Sequence, residues 1–427
     1  MLPGKPTKSS CLNPRPMLRQ NHLKSRRYLT QILLTLGLFV IQTKASSQSV
    51  YRTLKKLPDT GQNLSYTNTF GEDNDYAINP PNLKISNGTM VYDSVTTLLW
   101  QLSDGGEMTF DQAIKYCDTL TLGGFTDWRL PLPSEAFSIL NHQNPNPAVD
   151  IKIFPKTGAE YWYTSAVQAN DPSKTWVTNA GGGIGNHPKT ETISAGGTKK
   201  FHARAVRSTT PDVFIANRFV DNGDGTVTDQ LTDLMWVKSP GSTASTWEDA
   251  ILLSEYNTSG RHTDWRLPNI KAIRSLNDET RTQPSVSPTA YPGIAQSKYW
   301  SSTTLPNQSS KAWYYDNQFG ITTYDVKSAT HLVWMVRSAN NTASMHPVEK
   351  NQPTGFRIFP NPTNHILTIQ SDIIITMVEI STPLGQEITK IYNTNKINTS
   401  ALPTGQYVLT VYNQNSQPVG RTIFLKN

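Results

Sequence analysis

An α+β chain, made of two copies of one module and closed by an all-β domain, is the fold class that three observations predict. One block of sequence recurs 130 to 138 residues downstream. Within each copy, short stretches with helical spacing sit between stretches of strand-like alternation, and beyond residue 354 only alternation remains.

Composition supports this division. The 427 residues amount to about three domains at roughly 150 residues each. Charged residues make up 17% and the hydrophobic class 36%, with 26 Gly and 28 Pro, which suits turn-rich modules; 10 Trp, 17 Tyr and 13 Phe are too many for a disordered chain.

The N-terminal segment holds the basic charge. Residues 1–45 contain eight Lys and Arg and no Asp or Glu, so the formal net charge of +7 belongs to them and the remainder is slightly acidic. Without a positive field the body cannot neutralise many phosphates, which sets nucleic acid aside as a partner. Arg26 and Arg27 precede an apolar run, Leu29 to Ile41, followed by Ala45, Ser46 and Ser47; this order predicts a secretory signal peptide over 1–45, with Met17 an alternative start. The run is 13 residues long, and a spanning helix needs about 20, so no transmembrane helix is expected in the mature chain. After cleavage Cys117 is the remaining cysteine, on a helical pattern, and is expected to be a buried apolar thiol. Residues 46–70 read as an N-terminal extension.

The repeat organises the middle into modules at 71–208 and 216–339. Thr126-Asp127-Trp128-Arg129-Leu130-Pro131 returns as Thr263-Asp264-Trp265-Arg266-Leu267-Pro268; Trp100 returns as Trp236, Tyr161-Trp162 as Tyr299-Trp300, Trp176 as Trp313 and Val206-Arg207-Ser208 as Val336-Arg337-Ser338. Asn87-Gly88 and Asp224-Gly225 mark tight turns between strands. Thr109 with Gln112, and Thr246 with Asp249, stand at capping-box spacing ahead of a first helix. A second short helix follows, with Pro133 and Pro268 suited to its first turn and Phe137, Ile139 and Leu140, or Ile270, Ile273 and Leu276, facing inward. The rest of each module reads as a small antiparallel sheet. Residues 340–354 read as a linker. Alternation at Phe356/Ile358, Ile366/Thr368, Val378/Ile380 and Tyr407/Leu409/Val411 predicts a β-sandwich over 355–427.

These residues carry two resemblances. Asn222 to Asp229, Thr232 to Trp236, Thr246 to Ala250, Asp264 to Pro268, Tyr299 to Ser302 and Val336 to Ser338 resemble the Lcl-type C-terminal domain family, named after the C-terminal domain of a collagen-like adhesin. The first module resembles it too, departing at Ser86-Asn87-Gly88-Thr89 and in a glycine-rich insertion from Ala180 to Gly197. The resemblance implies two tandem C-type-lectin-like modules with a binding or adhesive role at a surface. Phe359 to Thr363, Leu402 to Tyr407 and Phe424 to Lys426 are similar to the type IX secretion C-terminal sorting domain. That resemblance implies the type IX machinery as a partner and a place secreted from, or on the outer surface of, a gram-negative cell.

Chemistry is sparse. The sequence has no His-Glu-x-x-His, no Gly-x-Ser-x-Gly, no phosphate-binding loop and no cysteine pair after the leader, so no catalytic residues are assigned and the chain is not expected to be an enzyme. Asp221, Asp224 and Asp229 around Gly223 and Gly225 are the one oxygen cluster that could wrap calcium; a turn explains the same residues, and no other cofactor is expected. Trp128, Arg129, Trp265, Arg266, Trp100 and Trp236 are expected to be structural. Tyr163, Trp176, Tyr314, Tyr315 and Tyr324, on the more variable strands, are the ligand-binding candidates. The expected function is binding or adhesion to an extracellular glycan or surface partner through both modules, which multivalency would strengthen. The alternatives are a non-binding structural matrix protein or an enzyme with a pocket in one module.

Overall fold

In a computed structural model of the chain, the described residues are 49–340 and 356–427, apart from 195, 198, 372, 373, 383–385 and 416. The expected signal peptide and all but the first residue of the expected linker lie outside them.

The α+β lectin-like build is not what forms; the chain is β-rich. Among the described residues the α-helices are four and short: α1, Phe110–Asp118; α2, Pro133–Ser138; α3, Trp247–Glu255; and α4, Ile270–Arg274. Everything else that is regular is strand or a single helical turn. At nine residues or fewer, no helix can form a layer of its own, and each one plugs the side of a sheet. The helical spacing in the sequence is real, but it lasts two turns.

Caps set these limits. Thr109 and Gln112 close a capping box at the start of α1, and Thr246 accepts from the Asp249 amide at the start of α3. Pro133 occupies the first turn of α2. In the second module Pro268 stays outside the helix, because Asn269 caps α4 by accepting from the Ala272 amide at 2.8 Å.

Each module holds two sheets. In the first, strands Leu83–Ser86, Met90–Asp93, Leu98–Gln101 and Val206–Ser208 form an antiparallel sheet, and Phe219–Asp221, Thr226–Asp229, Leu234–Val237 and Val336–Ser338 form its counterpart. Asn87 and Gly88 both take positive φ, 54° and 66°, in the three-residue connection that leaves Ser86 paired with Met90. The second sheets are Ile184–Pro188, Asp171–Asn179, Tyr161–Gln168 and Phe201–His202 in the first module, and Lys298–Thr304, Lys311–Asp316 and Ile321–Val326 in the second. One apolar core runs through both modules, from Val91, Trp100 and Trp176 to Trp236, Trp313 and Trp334. Cys117 is buried on α1, and burial, then the Asp118 charge, pushes its thiol up to about 12.

Residues 356–427 form a three-stranded and a four-stranded sheet around a core of their own, including Leu367, Ile380, Leu409 and Phe424. Val50–Arg52 pairs with Val213–Ile215 in a two-stranded ribbon between the modules. No helix among the described residues is long and apolar enough to cross a membrane.

Candidate binding faces

The repeated motif ties sheet to loop. Asp127 receives a bidentate contact from Arg207 at 2.7 and 3.0 Å, and Asp264 the same from Arg337 at 2.6 and 3.1 Å. The Arg129 and Arg266 backbones exchange hydrogen bonds with Val206 and Val336. Trp128 and Trp265 are buried, their indole nitrogens donating to the Leu122 and Ser259 carbonyls, and Trp100 and Trp236 are fully enclosed.

Four of the five aromatic residues proposed from sequence as ligand contacts lie inside the fold. Tyr163, Trp176, Tyr314 and Tyr315 are buried; Tyr163 donates to the Glu191 carbonyl and Tyr315 to Asn277 Oδ1 at 2.8 Å. Strand alternation shows which residues share a face but not whether another element covers it. Tyr324 does face solvent, at 40% exposure, with Lys311 Nζ 5.2 Å from its ring centre.

Trp176 and Trp313 belong to the joint between modules. Arg274 of α4 lies over Trp176, and His142, just past α2, packs edge-on to Trp313 at 5.5 Å. The glycine-rich insertion makes this reciprocal contact possible. Gly182 has φ +102°, and a Cβ there would come within 3.3 Å of both His142 and Trp313.

The first module also holds a charged cluster that the second lacks. Asp104 accepts from Trp162 Nε1 at 3.0 Å and pairs with His202 at 3.0 Å and Arg204 at 3.5 Å. Arg204 donates to the Gln101 carbonyl; at the matching place Trp334 donates to the Val237 carbonyl. Burial pulls the Arg204 guanidinium down to about 10, with Asp104 opposing. The cavity beside this cluster, about 10 Å³ between Trp162 and Arg204, has room for one water at most, so the cluster is packing and not a ligand pocket.

The carboxylates proposed for calcium point to separate partners. Asp221 pairs with Lys238 at 2.6 Å, Asp224 accepts from the Thr226 amide and hydroxyl, and Asp229 is held bidentately by Arg218 inside the fold. Among the described residues no group of three or more His, Cys, Asp or Glu is placed to hold a metal.

The largest difference between the modules is a strap. Residues 57–79, read from sequence as extension running into the first module, lie across the second module. Gly71 presses on Ile251, Tyr76 donates to Glu255 at 2.6 Å and stacks under Arg266, Asp73 accepts from Thr303 at 2.6 Å, Glu72 from Thr304, and Asp59 from Asn269 at 2.9 Å. Lys271 reaches through to the Asp59 and Ser138 carbonyls. The run Glu72-Asp73-Asn74-Asp75 was the sequence signal for this strap, since acidic residues that close a turn on themselves need donors elsewhere.

Burial, and then the neighbouring Asp59 charge, raise the Asp73 pKa well above the usual carboxylate range. A raised folded value means that its contribution to stability is whole below the unfolded pKa near 3.8 and falls as pH rises through the folded value. Asp73→Asn is therefore expected to be more stable than the parent at pH 7 to 8 and to lose this part of the pH dependence, read by thermal unfolding from pH 4 to 8.

On the first module the matching face is open. Ile114, counterpart of the covered Ile251, is 38% exposed, and Leu132, counterpart of Asn269, is 37% exposed. Arg129 and Lys189 stand where Arg266 and Lys327 meet the strap, Lys189 over Phe110 as Lys327 is over Trp247. Arg129 is paired with Glu135 at 2.6 Å. The threonines that hold the strap's carboxylates are replaced by Ala166 and Val167.

The family model described as the Lcl C-terminal domain matches residues 89–207 and again 225–337, and the model described as a secretion system C-terminal sorting domain matches 357–425. No curated protein matches the chain.

Proposed function

Because the chain belongs to the Lcl C-terminal domain family, in two tandem copies with a type IX sorting domain behind them, and so is a secreted or cell-surface protein, we propose that it is an adhesion protein whose first module grips a protein on the partner surface. The observation that carries this is the pair of matching faces. On the second module the face holds an extended segment with acidic and aromatic side chains; on the first, Ile114, Leu132 and Val167 leave it open beside Lys189. The occupant that fits is an extended segment with apolar side chains for Ile114, Leu132 and Val167 and an acidic group for Lys189. A glycan is the second reading, favoured by the exposed Tyr324 ring with Lys311 beside it, an arrangement suited to stacking on a sugar.

The full chain applied to extracellular matrix separates the two. Protease treatment of the matrix should abolish binding and periodate treatment should leave it; the reverse result gives the site to a glycan at Tyr324. Ile114→Asp with Leu132→Asp is expected to weaken binding at least roughly thirtyfold, the effect of losing one central contact of about 2 kcal/mol. Tyr324→Ala should leave it unchanged. Loss of binding in chelator that Asp221→Asn with Asp224→Asn reproduces would give the Asp221 turn a calcium in use. If neither treatment of the matrix nor either variant alters retention, the protein is a structural component of the surface.

A further inference from the structure

The sorting domain carries an apolar patch on the wrong side for a domain standing alone. In its four-stranded sheet Tyr407, Leu409, Val411 and Phe424 point into the domain's own core. Alternation turns Val408 and Ile423, paired across Gly405–Asn413 and Pro418–Lys426, to the opposite face. In an isolated sandwich that face meets water. Yet Val408 is 1% exposed and Ile423 0%, because they pack against Leu252 of α3, with Tyr256 beside it. Two polar ties flank the patch: Arg421 pairs with Asp249 at 2.8 Å, and the Tyr256 hydroxyl meets the Thr422 hydroxyl at 3.1 Å.

The first module supplies an internal control. Helix α1 is the counterpart of α3, capped by Thr109 as α3 is by Thr246. Where α3 carries Asp249, Leu252 and Tyr256, α1 carries Gln112, Lys115 and Thr119, all exposed. Thus α1 is polar outward, as a surface helix with nothing on it should be, whereas α3 is apolar on both sides. The difference lies in the sequences of both partners, since the sorting domain matches it with Val408 and Ile423.

We propose that the outer face of α3 is a docking seat for the sorting domain, so that the export signal is presented from a fixed position on the second module instead of from a free tether. A patch of this size would be weak between separate molecules. Joined by a short connection, the two parts meet at high effective concentration, and the small contact suffices.

The test is a distance distribution by pulsed electron resonance on the full chain, with Cys11→Ser and spin labels on Thr243→Cys and Tyr392→Cys, both exposed. Cys117, buried with its thiol pKa pushed up to about 12, stays unlabelled. The parent should give one narrow peak. Leu252→Lys, which installs the first module's residue, and Ile423→Lys, on the other side of the contact, should each replace that peak with a broad distribution while both parts keep their own hydrogen-exchange protection. A broad distribution in the parent, or a peak that stays narrow in both variants, overturns the proposal. Neither result bears on adhesion by the first module, whose face lies elsewhere.

Discussion

Asp264→Ala is expected to cost the fold about 3–5 kcal/mol, and the same change at its twin, Asp127, about 1 kcal/mol or less. The two aspartates occupy the same place in the repeated motif and take the same two-pronged contact from an arginine. What differs is the surroundings. The Arg337 side chain is 3% exposed and Asp264 17%, whereas Asp127 is 60% exposed beside a 14% exposed Arg207. Removing Asp264 strands a desolvated guanidinium whose other nearby partner is the Met235 sulfur at 3.3 Å. Removing Asp127 leaves Arg207 stacked on Phe125 at 3.9 Å, with water free to replace the lost carboxylate. Denaturant unfolding of the two variants measures the difference directly. Equal losses would mean that water reaches Arg337 and that the second module is looser than its packing implies.

The same pair shows how far the sequence could be read. The motif announced that Asp, Trp, Arg and the distant Val-Arg-Ser belong together, because two copies kept them all, and the hairpin turn at Asn87-Gly88 and the helix caps at Thr109 and Thr246 were legible from local chemistry. Burial was not. Tyr163 is covered by Phe110 and Phe201 of its own module and Trp176 by Arg274 of the other, and no local pattern around either residue encodes these distant contacts. The Tyr-Trp repeat was misleading by one residue. Thr164 donates to the Trp176 carbonyl as Ser301 does to the Trp313 carbonyl, so Trp162 corresponds to Tyr299 and Tyr163 to Trp300. A one-residue slip exchanges the faces of a strand, so the two Tyr-Trp dipeptides carry side chains that point in opposite directions. The helices weigh less in the architecture than their spacing predicts, because spacing reveals that a helix starts but not that it ends after two turns. The strap is not legible in sequence because its donors, Asn269, Thr303 and Thr304, lie some 200 residues away, nor is the seat on α3, whose two halves are also far apart.

Acid is expected to act on the joint between the modules, through His142. The ring is enclosed by Phe137 and Trp313, and burial, then the positive charge of Lys271, pull its pKa down to about 3. Its Nε2 lies 2.9 Å from the Gly182 carbonyl, which can only accept, so Nε2 carries the hydrogen and Nδ1 is the bare nitrogen; Nδ1 has no partner. Protonation would place a second positive charge in a dry site near Lys271. In the folded chain the ring therefore stays neutral down to about pH 3, while in the unfolded chain it takes up a proton below about 6.5. Between these values the unfolded state binds more protons, so this contribution to stability is whole above about 6.5 and is lost as pH falls, at up to roughly 1.4 kcal/mol per unit. Asp73 in the strap acts in the opposite sense, which makes a direct reading of the parent's acid curve ambiguous and a paired variant decisive. His142→Gln keeps an amide donor for the Gly182 carbonyl and removes the titration. Its stability relative to the parent should therefore rise steadily from pH 6.5 to 4, and a constant difference across that range would show that the ring is already protonated, or solvated, in the folded joint.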